Sequence, residues 1–276
     1  MPEPTASSPT PEPAAVQADA VIRVERLTMA YGDRLIQRDL TFSVRRGARF
    51  VIMGESGCGK STLLKHLIGL AEPAAGRVLV GGVDLWAVDP ARRRALARDF
   101  GVLYQSGALW TSMTVADNVA LPLQQYTDFA PERIDELVRL KLALVGLADA
   151  AERLPSELSG GMRKRAGLAR AMALDPPVLY LDEPSAGLDP ISSRQLDELI
   201  LEIGESLGTT FVIVSHELAS IFAVGTDAVF LDAQTRTQLD VGAPRQLLEH
   251  SPHERVRRFL RRGEPAAAAD PIEVHP

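Results

Sequence analysis

The chain has 276 residues, of which 46% are hydrophobic and 24% charged, and its formal net charge is −6. These values are ordinary for a globular protein with a large core, whereas nucleic-acid-binding proteins carry a broad basic surface, so we expect no nucleic-acid partner. The single cysteine excludes an internal disulfide framework, and neither an apolar run of about 18 residues nor a secretory signal is visible, which suits the reducing cytoplasm.

Both ends of the sequence have the composition of solvated tails. Residues 1–20 contain five prolines together with Ser, Thr, Glu and Ala, and residues 263–276 are similar. Because such segments cannot bury enough apolar surface to order themselves, we predict a disordered tail at each end.

The residues between the tails alternate between β-rich and helical segments. Eight short β-rich segments begin at residues 21, 41, 49, 78, 101, 178, 211 and 228. Several are continuously apolar, as strands covered on both faces are, and helical segments separate the later ones. This pattern predicts an α/β domain with a largely parallel sheet.

A phosphate-binding loop is predicted after the β-rich segment at residue 49. The pattern G-x-x-x-x-G-K-[ST] is matched by Gly54, Glu55, Ser56, Gly57, Cys58, Gly59, Lys60 and Ser61. Glycines let backbone N–H groups turn towards phosphate oxygens, and the following helix points its unpaired N–H groups at the same anion. Lys60 adds a positive charge and Ser61 a hydroxyl ligand for Mg²⁺. A dinucleotide-binding G-x-G-x-x-G pattern fails, because Ser56 stands at its middle glycine.

The pattern of residues 106–172 differs from that of the rest of the chain, because helix signals replace the β-rich segments. This pattern predicts a helical insertion between two sheet-forming halves. Thr114 and Asp117 have the spacing of a capping box at the start of one helix. Pro131 suits the first position of a second helix, and a third helix is predicted to follow Ser159.

The start of that third helix has an unusual composition. Ser159 is a good N-cap, but Gly160 and Gly161 in the first turn each cost about 1 kcal/mol relative to alanine. Glycines in a first turn are useful where unpaired backbone N–H groups must approach an anion closely. The sequence thus predicts a second phosphate-facing helix start, and leaves open whether both face one nucleotide within a single chain.

Two adjacent carboxylates follow a buried strand. The apolar run from residue 178 to residue 181 ends in Asp182 and Glu183. Side chains alternate along a strand, so the two carboxylates can have separate roles. Asp182 is placed to hold Mg²⁺, and Glu183 is placed to orient and deprotonate a water molecule in line with the γ-phosphate.

A last helix is predicted over residues 251–262. Ser251 is its expected N-cap, with Pro252 at the first helical position and Glu254 at the third. An apolar stripe is formed by Val256, Phe259 and Leu260, and arginines cover the remaining surface. We interpret it as a surface helix whose apolar stripe packs on the rest of the domain and whose arginines face solvent. Contact of this helix with a partner or with anionic lipid is the alternative.

Together these motifs resemble the ATP-binding subunit of ABC transporters over about residues 21–245. The resemblance implies a P-loop NTPase fold spanning residues 21–250, with a RecA-like, mostly parallel sheet, the inserted helical subdomain and an antiparallel β subdomain. It also implies ATP and Mg²⁺ as cofactors and ATP hydrolysis coupled to transport. In that family two copies pair head to tail, and each ATP lies between the phosphate loop of one copy and the LSGG signature of the other.

The family's functional residues map onto this sequence position by position. For ATP binding the resemblance implies Tyr31, as the aromatic that stacks on adenine, and Gly54, Glu55, Ser56, Gly57, Cys58, Gly59, Lys60, Ser61 and Thr62. For catalysis it implies Glu183, Gln105 and His216, and for Mg²⁺ it implies Ser61, Gln105 and Asp182. The signature acting in trans is Ser159, Gly160, Gly161 and Met162, and the D-loop contains Asp189.

A narrower resemblance points to the Mla/Mce-type lipid-transport ATPases. It is carried by residues 104–115 and by LSGGMRKRAGLARAMALDP at 158–176, with Met162 agreeing with this subgroup and Trp110 standing where phenylalanine is expected. It implies phospholipid transport between the bacterial inner and outer membranes. The implied partners are a second copy, an integral-membrane permease, an MCE-domain lipid-binding protein and in some systems a STAS-domain protein, with this chain on the cytoplasmic face of the inner membrane.

Three other functions remain as alternatives. A transporter ATPase for amino acids or another small solute differs only in cargo. An ABC ATPase in DNA repair or on the ribosome predicts tandem cassettes or a long coiled coil, and this chain has neither. A scaffold that has lost hydrolysis is disfavoured by the presence of Glu183 and His216.

Overall fold

The computed structural model describes residues 19–262. The predicted tail at 263–276 lies outside the described residues, as does the tail at 1–20 except for its last two positions, and the first strand already begins at Ala20. The strands are β1 (Ala20–Tyr31), β2 (Arg34–Arg45), β3 (Arg49–Gly54), β4 (Ala75–Val80), β5 (Val83–Asp84), β6 (Phe100–Leu103), β7 (Val178–Asp182), β8 (Thr210–Val214), β9 (Asp227–Asp232) and β10 (Thr237–Gly242).

Nine α-helices connect or flank these strands in the described part of the chain. They are α1 (Lys60–Leu67), α2 (Pro90–Ala97), α3 (Val115–Tyr126), α4 (Pro131–Leu144), α5 (Gly160–Ala171), α6 (Pro190–Leu207), α7 (Leu218–Val224), α8 (Pro244–His250) and α9 (Glu254–Arg261). None of the helices within residues 19–262 combines the length and the apolar character that a bilayer crossing requires.

Two sheets form the framework. One has the order β2-β1-β4-β5 and is antiparallel, and the other has the order β10-β9-β3-β8-β7-β6. All pairs of the six-stranded sheet are parallel except β10 with β9. The predicted α/β class with a mostly parallel core and an antiparallel β subdomain is therefore confirmed.

All eight predicted strands are present, and two further strands are not among them. The segment β5 has only two residues, and every residue of β10 is half-buried, so neither shows a hydrophobic period. The parallel arrangement matters for function, because the carboxyl ends of β3, β7 and β8 come to the same edge of the sheet.

The core lies in layers on the two faces of the parallel sheet. On one face it is shared with the antiparallel sheet and α1, where Phe42 stacks on Phe50 with ring centroids 5.2 Å apart. On the other face the apolar sides of α3, α4 and α5 pack against the sheet and α6. Apolar side chains in these layers supply most of the favourable free energy of folding.

The three helices predicted for the insertion are present with the predicted starts. Thr114 Oγ1 accepts a hydrogen bond from Asp117 N at 3.0 Å, and Asp117 Oδ2 accepts one from Thr114 N at 3.1 Å, which completes the capping box. Pro131 is the first residue of α4, and Ser159 is the N-cap of α5.

The predicted start of the C-terminal helix was wrong. The helix α9 begins at Glu254 with His253 at the N-cap position, not at Ser251. The Ser251 hydroxyl donates to Asp240 Oδ2 at 2.5 Å on the neighbouring strand β10 and accepts from His253 N at 3.3 Å, so it orders the segment before the helix and bonds no N–H group of its first turn. The apolar stripe is buried as predicted, with the ring of Phe259 edge-on to Phe230 at 5.2 Å.

Candidate nucleotide-binding site

The phosphate loop, residues 54–62, connects the end of β3 to the start of α1. Gly54 and Gly59 have φ angles of 149° and 104°. A Cβ at Gly54 would lie 2.4 Å from the Leu231 carbonyl oxygen, and a Cβ at Gly59 would lie 2.8 Å from Ile36 Cγ2. Both positions therefore require glycine for space as well as for backbone conformation.

Lys60 is folded into this loop. Its Nζ donates to the carbonyl oxygens of Gly54 at 3.0 Å and Glu55 at 3.2 Å, and the residue is buried. These are neutral acceptors, so the positive charge of the ammonium group is available to an anion seated in the loop. Helix α1 begins at the same residue and directs its free N–H groups to the same place.

Ser61 and Asp182 come together from two different elements. Ser61 Oγ, on α1, donates to Asp182 Oδ1, at the end of β7, at 3.2 Å. Burial, helped by the charge of Glu183, raises the pKa of Asp182, while the hydrogen bond from Ser61 acts against that shift. A hydroxyl and a carboxylate beside a phosphate site are hard oxygen donors of the kind that Mg²⁺ prefers, so these residues fit the predicted metal.

Glu183 and His216 form a second pair beside the loop. His216 Nδ1 lies 2.8 Å from both carboxylate oxygens of Glu183 and bonds to Oε1. The Oε2 atom accepts no hydrogen bond from the described residues. The Glu183 side chain is 11% exposed and that of His216 is 57% exposed. This geometry places a mostly buried carboxylate beside the loop, with one oxygen free of hydrogen-bond partners among the described residues, and a carboxylate in such a position has the chemistry of a general base.

A cleft of about 830 Å³ collects most of the predicted ATP and catalytic residues. The predicted residues that line it are Tyr31, Gly54, Glu55, Ser56, Gly57, Gly59, Lys60, Ser61, Thr62, Gln105, Glu183 and His216. Tyr31 is half-exposed at its edge, as a ring that stacks on a base must be. Cys58 does not line the cleft: its side chain is buried under the loop, and this burial raises the pKa of its thiol.

The signature residues lie elsewhere. Ser159 Oγ accepts from Met162 N at 3.2 Å as the N-cap of α5. None of the four predicted signature residues, in the described part of a single chain, lines the cleft. A Cβ at Gly160 would lie 3.4 Å from Leu188 Cδ2, and one at Gly161 would lie 3.4 Å from Ser192, which are van der Waals contact distances, so packing within this chain does not by itself require glycine at either position.

Asp189 is also outside the cleft, at the N-terminus of α6. Its Oδ1 accepts from the N–H groups of Ile191 and Ser192 at 3.0 Å each. The Ser192 hydroxyl donates to Oδ2 at 2.6 Å and is the main reason that the pKa of Asp189 is lowered. Within one chain, Asp189 is thus a helix cap that fixes the loop carrying it.

One residue that holds the phosphate loop was not predicted from the sequence. Gln37, fully buried on β2, donates through Nε2 to the carbonyl oxygens of Cys58 at 2.7 Å and Asp232 at 3.0 Å. Arg34, Phe259 and Arg262 line the cleft as well and were not predicted. Several residues of β2 are polar, so the sequence alone does not distinguish Gln37 from the others. Its role in holding the loop becomes visible only when its burial is known.

Comparison with known proteins agrees with this geometry. The family model described as "ABC transporter" matches residues 37–186. The intermembrane phospholipid transport system ATP-binding protein MlaF of Haemophilus influenzae is 40% identical over 241 residues, covering 87% of this chain and 90% of that protein. The probable ribonucleotide transport ATP-binding protein mkl of Mycobacterium tuberculosis is 40% identical over 239 residues, and the chain spans 66% of its length.

A solved structure has the same fold. The dimeric ATP-binding cassette MJ0796 bound to ADP and Pi superposes with a TM-score of 0.73 at 26% identity, covering 80% of this chain and 98% of that one. The structural similarity therefore covers four fifths of this chain. By its family-model match and by its 40% identity to a relative that it covers almost completely, this chain belongs to the ABC transporter family of ATP-binding proteins.

Proposed function

We propose that the chain is the ATP-hydrolysing subunit of an ABC transporter that moves phospholipid between the inner and outer membranes through a separate permease. One observation carries the hydrolytic part of the proposal. Two hydrogen-bonded pairs lie beside the phosphate loop. Ser61 Oγ is 3.2 Å from Asp182 Oδ1, and His216 Nδ1 is 2.8 Å from Glu183 Oε1. Phosphoryl transfer requires positioned charge and a positioned water more than covalent chemistry, and these pairs can supply both.

Each group has a proposed role. Lys60 and the loop N–H groups bind the β- and γ-phosphates. Ser61, Asp182 and Gln105 hold Mg²⁺, whose charge offsets the charge on the phosphate oxygens. Glu183 orients a water and takes its proton, and His216 contacts the γ-phosphate from the exposed side of Glu183.

The site is proposed to be completed by a second copy. The signature residues do not line the cleft of their own chain, within the residues that the structure describes, and yet Ser159 caps a helix start that suits an anion. MJ0796 is dimeric in its ADP- and Pi-bound state. A head-to-tail pair places Ser159, Gly160, Gly161 and Met162 of one copy on the nucleotide of the other, with the loop of Asp189 at the interface.

The proposed phospholipid cargo rests on the LSGGM signature and on MlaF. The chain covers 90% of the H. influenzae MlaF protein. A second candidate, a small-solute transporter, is favoured by the mkl protein, which is named for ribonucleotide transport and is equally identical.

A surface for the permease is proposed on the helical insertion. A groove of about 730 Å³ runs between α2 and the helices α3 and α5, and Arg94, Arg98 and Tyr126 are among its lining residues. Trp110 projects from the same insertion and is 59% exposed, and Asn118 holds its backbone by hydrogen bonds of 2.7 and 3.1 Å. A large exposed aromatic on a rigid loop is typical of a protein contact. Through this contact the chain would sit on the cytoplasmic face of the inner membrane.

Isolation of the membrane partner tests the cargo. We expect the tagged full chain, purified from a detergent extract of its own cells, to bring down a permease together with an MCE-domain protein. A STAS-domain protein in the same complex would extend the match to the Mla system. Recovery of an amino-acid or nucleotide permease would contradict phospholipid transport, and recovery of DNA-repair or ribosomal proteins would contradict transport altogether.

Lys60→Ala is expected to weaken ATP binding about 10- to 100-fold, because a charge-assisted hydrogen bond to phosphate is worth about 1.5–3 kcal/mol. The measurement is a nucleotide titration of the purified chain. Lys65→Ala, one turn later on the exposed side of α1, is the matched control and is expected to bind ATP normally. An unchanged titration for Lys60→Ala would remove Lys60 from the phosphate site.

A further inference from the structure

Lys164 on α5 is a buried cation to which neither the predicted site residues nor the proposed mechanism assigns a role. The residue is 5% exposed, and its Nζ donates to the Glu183 carbonyl oxygen at 2.9 Å and to the Gln105 carbonyl oxygen. Within residues 19–262, no carboxylate lies in ion-pair contact with this ammonium. Its direct partners are therefore two backbone carbonyls, one from each of the two loops proposed to hold the water and Mg²⁺.

This placement is costly for a residue that only fills space. Burial lowers the pKa of Lys164, although the nearby charges of Glu183, Asp182 and Glu217 oppose that shift. Burying a charge without an ion-pair partner is unfavourable, and an apolar side chain of the same length would fill the volume without that cost. The two hydrogen bonds are therefore the feature that distinguishes Lys164 from a packing residue.

The bond to Glu183 acts on a strained part of the backbone. Glu183 has φ of 50°, a conformation that costs a residue with a side chain free energy unless its surroundings hold it there. Its N–H donates to Val214 O at 2.9 Å on one side, and its carbonyl accepts from Lys164 on the other. Together these bonds fix the direction in which the Glu183 carboxylate points.

The same helix carries the signature. Helix α5 starts directly after Ser159, and Lys164 lies in its second turn. A helix moves as a rigid unit over this distance, so a displacement of its N-terminus is transmitted to the Nζ of Lys164 and to both loops. The contact therefore links the place where the other copy's nucleotide is proposed to bind with the hydrolytic residues of this copy.

We propose that Lys164 is a positioning residue that couples the signature helix of one copy to Glu183 and Gln105 of the same copy. In this way the nucleotide of the partner sets the hydrolytic geometry of this chain's own site. The proposal deepens the proposed function and rests on it. Its direct consequence is that loss of the two bonds impairs turnover and leaves the binding of ATP intact, since Lys164 does not line the cleft.

The test compares Lys164→Met with Lys164→Arg in the full chain, measuring the Kd for ATP by titration and the steady-state kcat. We expect Lys164→Met to lower kcat about 10- to 100-fold, because a small misplacement of a reacting group costs about that much, with Kd changed less than about twofold. Lys164→Arg keeps donors for both carbonyls and should recover most of the lost kcat. A structural filler would not show this separation of kcat from Kd or the rescue by arginine.

Arg165→Met is the matched control on the same helix, because the Arg165 side chain bonds Val145 O at 3.5 Å, away from both loops. It should turn over ATP within about twofold of the unaltered chain. If Lys164→Met does not fold, Lys164→Leu, which also lacks a hydrogen-bond donor, takes its place. Normal kcat in the Met or Leu variant, or no recovery with arginine, would overturn the inference. Absence of ATPase activity in the unaltered chain would instead overturn the proposed function.

Discussion

Glu183→Gln is expected to bind ATP normally and to hydrolyse it about 10²- to 10⁴-fold more slowly, which is the range for loss of a general base. Glutamine has the shape of glutamate and can still contact His216, which lies 2.8 Å from the carboxylate, but it cannot accept a proton from water. ATP hydrolysis is expected to be the step that lets the two copies separate. Without it, two ATP-bound copies should remain together as a stable closed dimer.

The measurements for this variant are steady-state ATPase activity and size-exclusion chromatography with and without ATP. Glu217→Gln is the matched control, since Glu217 is a half-buried carboxylate at the start of α7 that does not line the cleft. It removes a charge of the same sign from the same region and should keep most of its turnover. Normal turnover by Glu183→Gln would remove Glu183 from its proposed role.

Ser159→Arg is expected to abolish turnover, by at least about 100-fold, and to leave ATP binding by a single chain unchanged. The side chain of Ser159 is exposed and does not line its own cleft. Arginine at this position would fill the space in which a partner's γ-phosphate is proposed to meet the start of α5. Loss of activity with intact affinity is therefore the expected result for a residue that acts in trans.

Ser206→Arg serves as the control for the added bulk and charge, because Ser206 is exposed at the far end of α6. This variant should hydrolyse ATP normally. Ser159→Arg should also fail to form the ATP-dependent dimer when combined with Glu183→Gln, which separates loss of the interface from loss of chemistry. Retained activity in Ser159→Arg would show that the site is complete without a partner.

Much of the fold could be predicted because its signals are local. The strands of the parallel sheet are continuous apolar runs, and the capping box of Thr114 and Asp117 is contained in four residues. The start of α9 could not be predicted, because Ser251 is held to Asp240 on another element and its hydroxyl accepts from His253 N, one residue before the helix begins. The edge strand β10 was missed because its half-buried residues have no hydrophobic period.

The candidate site shows the same difference between local signals, which the sequence reveals, and contacts between distant segments, which it does not. The phosphate loop and the Asp182–Glu183 pair are contiguous motifs, so their chemistry is visible in the sequence. Lys164 and Gln37 act on backbone carbonyls of distant segments: Lys164 and Gln105 are 59 positions apart, and Gln37 and Asp232 are 195 positions apart. A carbonyl acceptor has no residue-type signature, and these contacts could be found only once the chain was folded.

The burial of Cys58 has a practical consequence. The chain has one thiol, and it is packed beneath the phosphate loop with a pKa raised by burial, so both access and ionisation oppose its alkylation. A maleimide can react only while this segment is transiently open, so the labelling rate of the unaltered protein reports the free energy of that opening. The molecule therefore contains its own reporter group for local unfolding at the loop, with no need to introduce or remove a cysteine.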